Sequence, residues 1–526
     1  MRVFDVCIAG SGPGGVFAAR ALRGLDILIL DPGLRPGPEP RVEENLYDLR
    51  ARSEDLFPLL IGDRWQSFRN LHEYPPVSLK LKAPRTAYII DGWERETPVE
   101  SSSFHPMISL AEGGLANGWG AGVYRYTDAE LASIPCPPGE MKAAYDEVCR
   151  HIGVSGEMDD LAGDFGDEPD LQPPLRLSRN AAAILERYAR HRDRYRAEGV
   201  RIGRPRLAVL TKPHLGREPY AYRSLEFFQQ HDPAVYNPAY TLREMVAGGE
   251  AGYESGWLVE GYRETEGMVE VKARRLGSQE TRTVLARHLV LAAGALNTTR
   301  IVLASAEDYE TRTPLLDNSM ACLPLIHPTS IGSAIDTRES TLAQLNVIAD
   351  HPALAAVCQA SFYGSTGPLR AELIGDFPLS VGAALEAGRL LAPAISLLMV
   401  FFPGVADPGN WLRLKPGGSL EASLRPRTDR AALTLLTRVF RRLGCRTWSR
   451  LWQYPKPGAS LHYAGTLPML ERPRRYETHP DGHLEGTRGV YVVDGACLPS
   501  LPAKNLTLTI MANAWRIGKR LRETLR

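Results

Sequence analysis

Three things are scarce in this chain, and each scarcity excludes something. Charge of one sign is the first: 62 Lys and Arg stand against 61 Asp and Glu, a net charge of +1. Such a surface has no field to hold DNA or an anionic membrane, so nucleic acid is not an expected partner. Paired cysteine is the second. The seven cysteines (Cys7, Cys136, Cys149, Cys322, Cys358, Cys445 and Cys497) are odd in number, scattered, and form no CxxC. That argues against a disulfide framework and a zinc site, and for a reducing, cytoplasmic setting. Long apolar runs are the third. The most apolar segment, Leu390 to Ala406, is interrupted by Pro393 and Pro403 and falls short of the roughly 20 residues a spanning helix needs. It reads as a buried strand or helix, or else as a surface that touches a membrane. The N-terminus enters a strand pattern directly, without a basic and then apolar leader, so neither an export signal nor a transmembrane segment is expected.

What is present begins at once. A chain of 526 residues, 44% hydrophobic and 23% charged, exceeds one compact core and implies two joined domains. "FDVCIAG" has the pattern of a buried strand, "GPGGVFAARAL" of a helix and "LDILILD" of a second buried strand, a βαβ opening. Gly10, Gly12 and Gly15 form GxGxxG at the strand-to-helix junction. There the first glycine allows a tight turn, the second lets backbone approach a pyrophosphate, and the third permits close helix packing. The helix N-terminus offers free N–H groups to the diphosphate, and Asp31, about 20 residues on, is placed to accept from ribose hydroxyls. No second GxGxxG stands between a strand and a helix. One bound dinucleotide, FAD, with the rest of the chain building a substrate chamber, is the simpler reading.

Further along, glycines cluster from Glu112 to Tyr124, and an acidic stretch from Gly156 to Pro174 reads as a solvated loop or linker. The arginine-rich "RNAAAILERYARHRDRYRAEG" predicts one helix. Arg187, Arg190, Arg194 and Arg201 could bind a phosphate-bearing substrate, or simply form a solvated face. From Trp257 the pattern is that of a three-stranded meander, and "GALNTTRIVLAS" resumes helix. The chain closes on a buried strand, a loop and a helix whose Ile510, Met511, Ala514, Ile517 and Leu521 recur at helical spacing.

Four separated segments resemble the glucose-methanol-choline (GMC) family of flavoprotein oxidoreductases, with some likeness to its pyranose-oxidase-type members. They are "CIAGSGPGGVFAARAL…LILD", "GGLANGWGAG", "LVLAAGALNTTRIVLAS" and "VYVVDGACLPSLPAKNLTLTIMANAWRIG". The resemblance implies an α/β fold: a discontinuous Rossmann-like FAD-binding domain from residues 1–60, 100–150, 236–305 and 485–526. Residues 61–99, 151–235 and 306–484 would form an α+β substrate domain on an antiparallel sheet. It implies that Gly10, Gly12, Gly14, Gly15 and Asp31 hold the ADP part of FAD and that Val259 meets adenine through its backbone. Gly114, Ala116, Asn117 and Gly118 would lie along the flavin, with Ala293, Gly294, Asp494, Gly495 and Thr507 completing the cofactor site. Some members attach flavin through a histidine in the glycine-rich segment; Gly118 stands there, so noncovalent FAD is expected. No metal is expected. "HYAGT" is similar to the family's HxxGT turn, which makes His462 the implied catalytic base, and Asn505, 43 residues later, the second member of the catalytic pair. Leu506 replaces the family's usual proline after that asparagine, and "HYAGTLPML" lacks its usual Met-Gly ending.

Those two residues suit alcohol oxidation. A largely neutral histidine can take the hydroxyl proton, an amide can donate to the oxygen as it gains charge, and flavin accepts the hydride. Asn505 could also be a plain helix N-cap, Trp119 could pack or adjoin the flavin, and Cys7 and Cys497 read as packing residues. The expected activity is oxidation of a CH–OH group by hydride transfer to flavin N5, on a sugar, cyclitol or glycoside. An aliphatic or sterol-like alcohol, or a non-redox flavoenzyme such as an isomerase or lyase, are the alternatives. A noncatalytic flavin-binding protein is a third. The electron acceptor is left as oxygen, quinone or another carrier.

Overall fold

A computed structural model describes residues 2–53, 55–63, 81, 83–364 and 379–525. The βαβ opening forms as its pattern predicts: strand Val3–Ala9, helix Pro13–Ala21, strand Ile27–Asp31. The two strands pair in parallel, with Cys7 opposite Leu28. Strand Thr281–Leu291 lies on the other side of Val3–Ala9, also parallel, with Leu289 opposite Cys7. Cys7 is thus enclosed by apolar neighbours, and its thiol is pushed up to about 12 by burial.

The resulting sheet runs Gly252–Ser255, Ile27–Asp31, Val3–Ala9, Thr281–Leu291, Met268–Arg275, Trp257–Thr265. The last three strands are the meander, joined antiparallel. Thr281–Leu291 is longer than its meander partner, and strand Val490–Val492 pairs in parallel with the end the meander leaves unpaired. The two ends of the chain therefore meet in one sheet. Helix Thr507–Thr524 then crosses helix Pro13–Ala21 so closely that a Cβ at Gly518 would lie 2.9 Å from the Ala18 carbonyl oxygen.

A second, wholly antiparallel sheet runs Met320–Ile326, Ile395–Phe401, Cys358–Gly364, Leu345–Ala349, Val200–Gly203. The apolar segment that could have been strand or helix is its second strand, Ile395–Phe401. Alternate residues of that strand, Leu398 and Val400, enter a core shared with helices Arg179–Arg190 and Arg430–Arg442. The opposite side carries Leu397, Met399 and Phe401, and beside them Tyr363, Ser361 and Gln359. Phe401 on that side stacks on the ring of His462. A two-stranded ladder, Leu316–Asp317 with Tyr463–Ala464, joins the two halves. No helix among the described residues is long and apolar enough to cross a membrane.

Two expectations need correction. The acidic stretch is not a solvated linker: Leu161 and Phe165 are buried, and its carboxylates serve specific arginines. Asp160 accepts from Arg196 and Tyr188, Asp164 from Arg201 at 2.7 Å, and Glu168 from Arg125 at 2.6 Å. Polarity alone does not distinguish an exposed acid such as Asp167 or Asp170 from one that meets an arginine distant in sequence. The arginine-rich segment is likewise two helices, Arg179–Arg190 and Arg192–Ala197, broken at His191. Its arginines are committed: Arg187 to the Leu443 carbonyl, Arg190 to Glu186, Arg194 to Glu198, Arg201 to Asp164 and Asp350. No free guanidinium cluster is left among them to receive a phosphate.

Candidate active site

Gly10 has φ +106° and Gly15 packs so tightly that a Cβ there would lie 2.0 Å from the Gly10 carbonyl oxygen. Gly12, between them, faces open space: a Cβ would meet nothing within 4 Å. Gly14 backs onto the Val493 carbonyl and Asp494. The helix N-terminus is therefore bare where an anion would sit. Ser11 ties this turn to its neighbours. Its N–H donates to Asp31 Oδ2 at 2.7 Å, and its hydroxyl accepts from Gly113 N at 3.0 Å. Burial pushes the Asp31 carboxyl up to about 7, outweighing the hydrogen bonds from Ser11 and Gly33 that favour its charged form.

Gly113 and Gly114, with φ +87° and +65°, bend the glycine-rich segment into the short turn Gly114–Asn117. A Cβ on Gly114 would come 3.5 Å from Gly12 Cα, so the two glycines face each other across a narrow gap. Ala116 is buried in that turn. Asn117 does not offer its side chain to the gap. Its Nδ2 donates to the carbonyls of Glu112 and Gly114, both at 2.8 Å, and its Oδ1 accepts from Asn237 at 2.7 Å. Only its backbone remains available. Gly118 lies against Leu81, and Trp119 donates its indole N–H to the Tyr236 carbonyl at 2.9 Å, a packing role.

Gly294, φ +86°, also has nothing within 4 Å of where a Cβ would stand. Its N–H and the Thr298 hydroxyl donate to Asp494 Oδ2 at 2.8 and 2.5 Å, and Ala496 N to Oδ1 at 2.9 Å. Ala293 N in turn meets Thr298 Oγ1 at 3.2 Å. Asp494 thus clamps the Ala293–Gly294 turn to the Gly495–Cys497 turn. Two glycines with empty Cβ positions, Gly12 and Gly294, a helix N-terminus and the buried Asp31 carboxylate together fit an extended dinucleotide. Val259 borders a cleft of about 660 Å³, lined also by Arg95, Arg274, Asn297 and Arg300. Arg300 is half-buried there, donating to Asn297 Oδ1 and the Pro98 carbonyl, and desolvation depresses it to about 9.

His462 and Asn505 come together. Asn505 Nδ2 is 3.4 Å from His462 Nε2. The final helix starts at Thr507 and is preceded by Leu506, so Asn505 is not its N-cap and its amide is free for the histidine. His462 is aimed by several devices. Leu461 has φ +62°, an uncommon conformation for a branched residue. The Ser460 hydroxyl accepts from His462 N at 3.0 Å and donates to Asp317 Oδ1 at 2.6 Å. The ring of Phe401 stacks on the imidazole with centroids 5.5 Å apart, and Asn318 Oδ1 lies 2.9 Å from Nδ1. Burial alone lowers the ring to about 4, so it is neutral near pH 7. Ser460, Asp317, Asn318 and Phe401 were not found from sequence. Ser460 sits two residues from the histidine and Phe401 lies in the apolar segment read as buried strand or helix, but Asp317 and Asn318 lie in a segment without a recognisable pattern.

A family model described as GMC oxidoreductase matches residues 441–514, the span that carries both His462 and Asn505. That part of the chain matches the C-terminal region of GMC oxidoreductases. The chain is 26% identical to a 6'''-hydroxyparomomycin C oxidase of Streptomyces lividus over 98% of this chain and 91% of that protein. It is 24% identical to a C-glycoside 3-oxidase of Microbacterium trichothecenolyticum over 99% and 97%. Among solved structures, pyridoxine 4-oxidase from Mesorbium loti superposes with a TM-score of 0.60 at 14% identity, covering 99% of each chain. The C-terminal match and the oxidase-named relatives support an FAD-dependent oxidoreductase acting on alcohols, with the Rossmann-type FAD domain that the first sheet provides.

Proposed function

We propose that this protein, as a GMC oxidoreductase, oxidises a hydroxyl-bearing carbon of a glycoside, with FAD held noncovalently and His462 as the base. The observation that carries it is the facing pair of nitrogens, His462 Nε2 and Asn505 Nδ2, 3.4 Å apart. A hydroxyl oxygen seated against both would give its proton to the imidazole and receive an N–H from the amide. Bound FAD supplies the hydride acceptor. Gly12 and Gly114 leave room for its diphosphate, Asp31 accepts from its ribose, and Asp494 with Gly294 and Gly495 shapes its central stretch. Thr507 opens the final helix beside it, and Val259 lies at the adenine end. Noncovalent attachment is supported by Gly118, which offers no side chain for a bond to flavin.

The substrate class is supported by two things. Two relatives are named as oxidases of an aminoglycoside and of C-glycosides. The side of the second sheet that carries Phe401 also presents Ser361 and Gln359, and neither Nε2 nor Oε1 of buried Gln359 has a partner among the described residues. Gln359 borders a cleft of about 330 Å³ with Ser500, Pro502 and Lys504, in the loop that leads to Asn505. An unsatisfied amide in that position suits a second hydroxylated ring better than an alkyl chain. The unpaired state of all seven cysteines is compatible with a cytoplasmic setting. Oxygen is the acceptor that the relatives' names favour.

Anaerobic mixing of the FAD-loaded protein with C-glycosides, amino sugars, cyclitols and long-chain alcohols tests the reading. Bleaching by the glycosides is the expected result, and bleaching by the alkyl alcohols alone would overturn it. Admitting air, then a quinone, to the reduced protein identifies the acceptor.

A further inference from the structure

We infer that Asn318 is a positioning residue for the reaction: it holds the imidazole proton of His462 on Nδ1, so that Nε2 meets the substrate hydroxyl as a bare acceptor. This rests on the reading of His462 as the base and adds how that base is kept in its working tautomer. The orientation of the Asn318 amide follows from its partners. Nδ2 donates to two backbone carbonyls, Phe402 at 2.8 Å and Pro502 at 3.0 Å. Carbonyl oxygens only accept, so the NH₂ end of the amide is assigned and Oδ1 must point the other way. Oδ1 is the atom 2.9 Å from His462 Nδ1, and it too can only accept. Nδ1 therefore carries the hydrogen, and in a neutral ring that leaves the lone pair on Nε2.

The far side of the ring agrees. Nε2 faces Asn505 Nδ2, a donor, which is the correct complement to a lone pair. The opposite tautomer would set the Nδ1 lone pair against the carbonyl oxygen of Asn318 and an Nε2 hydrogen against the Asn505 amide hydrogens. Both contacts would be repulsive, in a fully enclosed site where an unmade hydrogen bond is costly. Asn318 also joins three parts of the site. The carbonyl of Phe402 follows Phe401, which stacks on the imidazole, and that of Pro502 belongs to the loop carrying Asn505. One side chain thus sets base, aromatic platform and second amide relative to one another.

Among the described residues no charged side chain is bonded to Nδ1. Asp317 is turned to Ser460 Oγ and Gly458 N, at 2.6 and 3.1 Å. Tyr463 donates to the Gly458 carbonyl at 2.6 Å. Lys504, beside Asn505, is bonded to Glu130 and to the carbonyls of Arg125 and Asp164. The nitrogen opposite the reacting one therefore rests on a neutral amide, not on a carboxylate.

The test is the acid limb of flavin reduction in FAD-loaded Asn318→Asp and Asn318→Ala, followed as the second-order rate constant against pH. Both variants lose the donors to Phe402 and Pro502, but only the first places a negative charge on Nδ1–H, which favours the imidazolium. The expected result is a limb raised by at least about one pH unit in Asn318→Asp, with reduction at pH 5 down roughly twofold for a rise of one unit and roughly tenfold for a rise of two. No such rise is expected in Asn318→Ala. Equal limbs in the two variants, with FAD retained, would overturn the inference. His462→Ala separates the two levels: wild-type reduction there would sink the base assignment itself. Where a variant loses FAD, ¹⁵N-histidine spectra of the unsubstituted holoenzyme decide, with His462 assigned by its absence in His462→Gln. A protonated Nδ1 and an unprotonated Nε2 support the inference, and the reverse overturns it.

Discussion

The burial of His462 makes a quantitative statement about pH. An exposed histidine titrates near 6.5, whereas desolvation lowers this one to about 4, a difference of about 2.5 units or about 3 kcal/mol against the charged ring. The base is competent when neutral, so activity is present above the depressed value and lost as pH falls through it. At pH 5 a ring titrating near 4 is about 90% neutral, while one titrating near 6.5 is only about 3% neutral. The second-order rate constant for flavin reduction, which reports the free enzyme, should therefore fall by only about a tenth between pH 8 and pH 5. A normal histidine would lose roughly thirtyfold over the same interval. Anaerobic stopped-flow with the glycoside that bleaches fastest is the assay. FAD content must be measured at each pH, because Asp31 in the cofactor cleft is raised to about 7. A half-drop near pH 6.5 with FAD still bound would refute the reasoning, since it would mean that solvent reaches the imidazole.

Other consequences can be checked separately. Gly15→Ala sets a Cβ 2.0 Å from the Gly10 carbonyl oxygen, so the purified protein should carry little or no FAD by its visible spectrum. Gln359→Leu removes an amide that has no protein partner; KM for a glycoside should rise roughly two- to tenfold with kcat little changed, the signature of a hydrogen bond made equally in ground and transition states. An unchanged KM would place Gln359 outside the substrate site. Arg125 and Glu168 form a buried ion pair with side chains 6% and 7% exposed. Arg125→Met should destabilise the protein by about 3–5 kcal/mol in denaturant unfolding by leaving the carboxylate alone, and adding Glu168→Leu should recover most of the loss.

The parts of this molecule legible in its sequence are those where backbone geometry constrains residue type. Gly10, Gly12 and Gly15 could be read because a turn, an open anion site and a 2.0 Å approach each exclude a side chain. The meander and the final helix could be read because one face of each is buried, which writes a period into the sequence. His462 and Asn505 were visible through the resemblance of their surroundings, and their meeting at 3.4 Å joins two segments whose pairing no local pattern implies. The acidic stretch shows the converse. Polarity alone suggested solvent, but Asp160, Asp164 and Glu168 each meet an arginine distant in sequence, and ion pairing across the fold leaves no local trace.

Asn318 shows why the supporting side chains of the site escaped notice. It follows the short ladder strand Leu316–Asp317, in a region with neither a glycine that a turn demands nor a helical period. Its role depends on three contacts, with His462, Phe402 and Pro502, separated from it by 144, 84 and 184 residues. An asparagine at that place is equally suited to a turn or a cap when read alone. Only the identity of the atoms around it, two carbonyls on one side and a ring nitrogen on the other, turns it into a statement about which nitrogen of His462 carries a proton. The chemistry of the site is thus carried by residues that sequence can name, and its protonation state by one that sequence cannot.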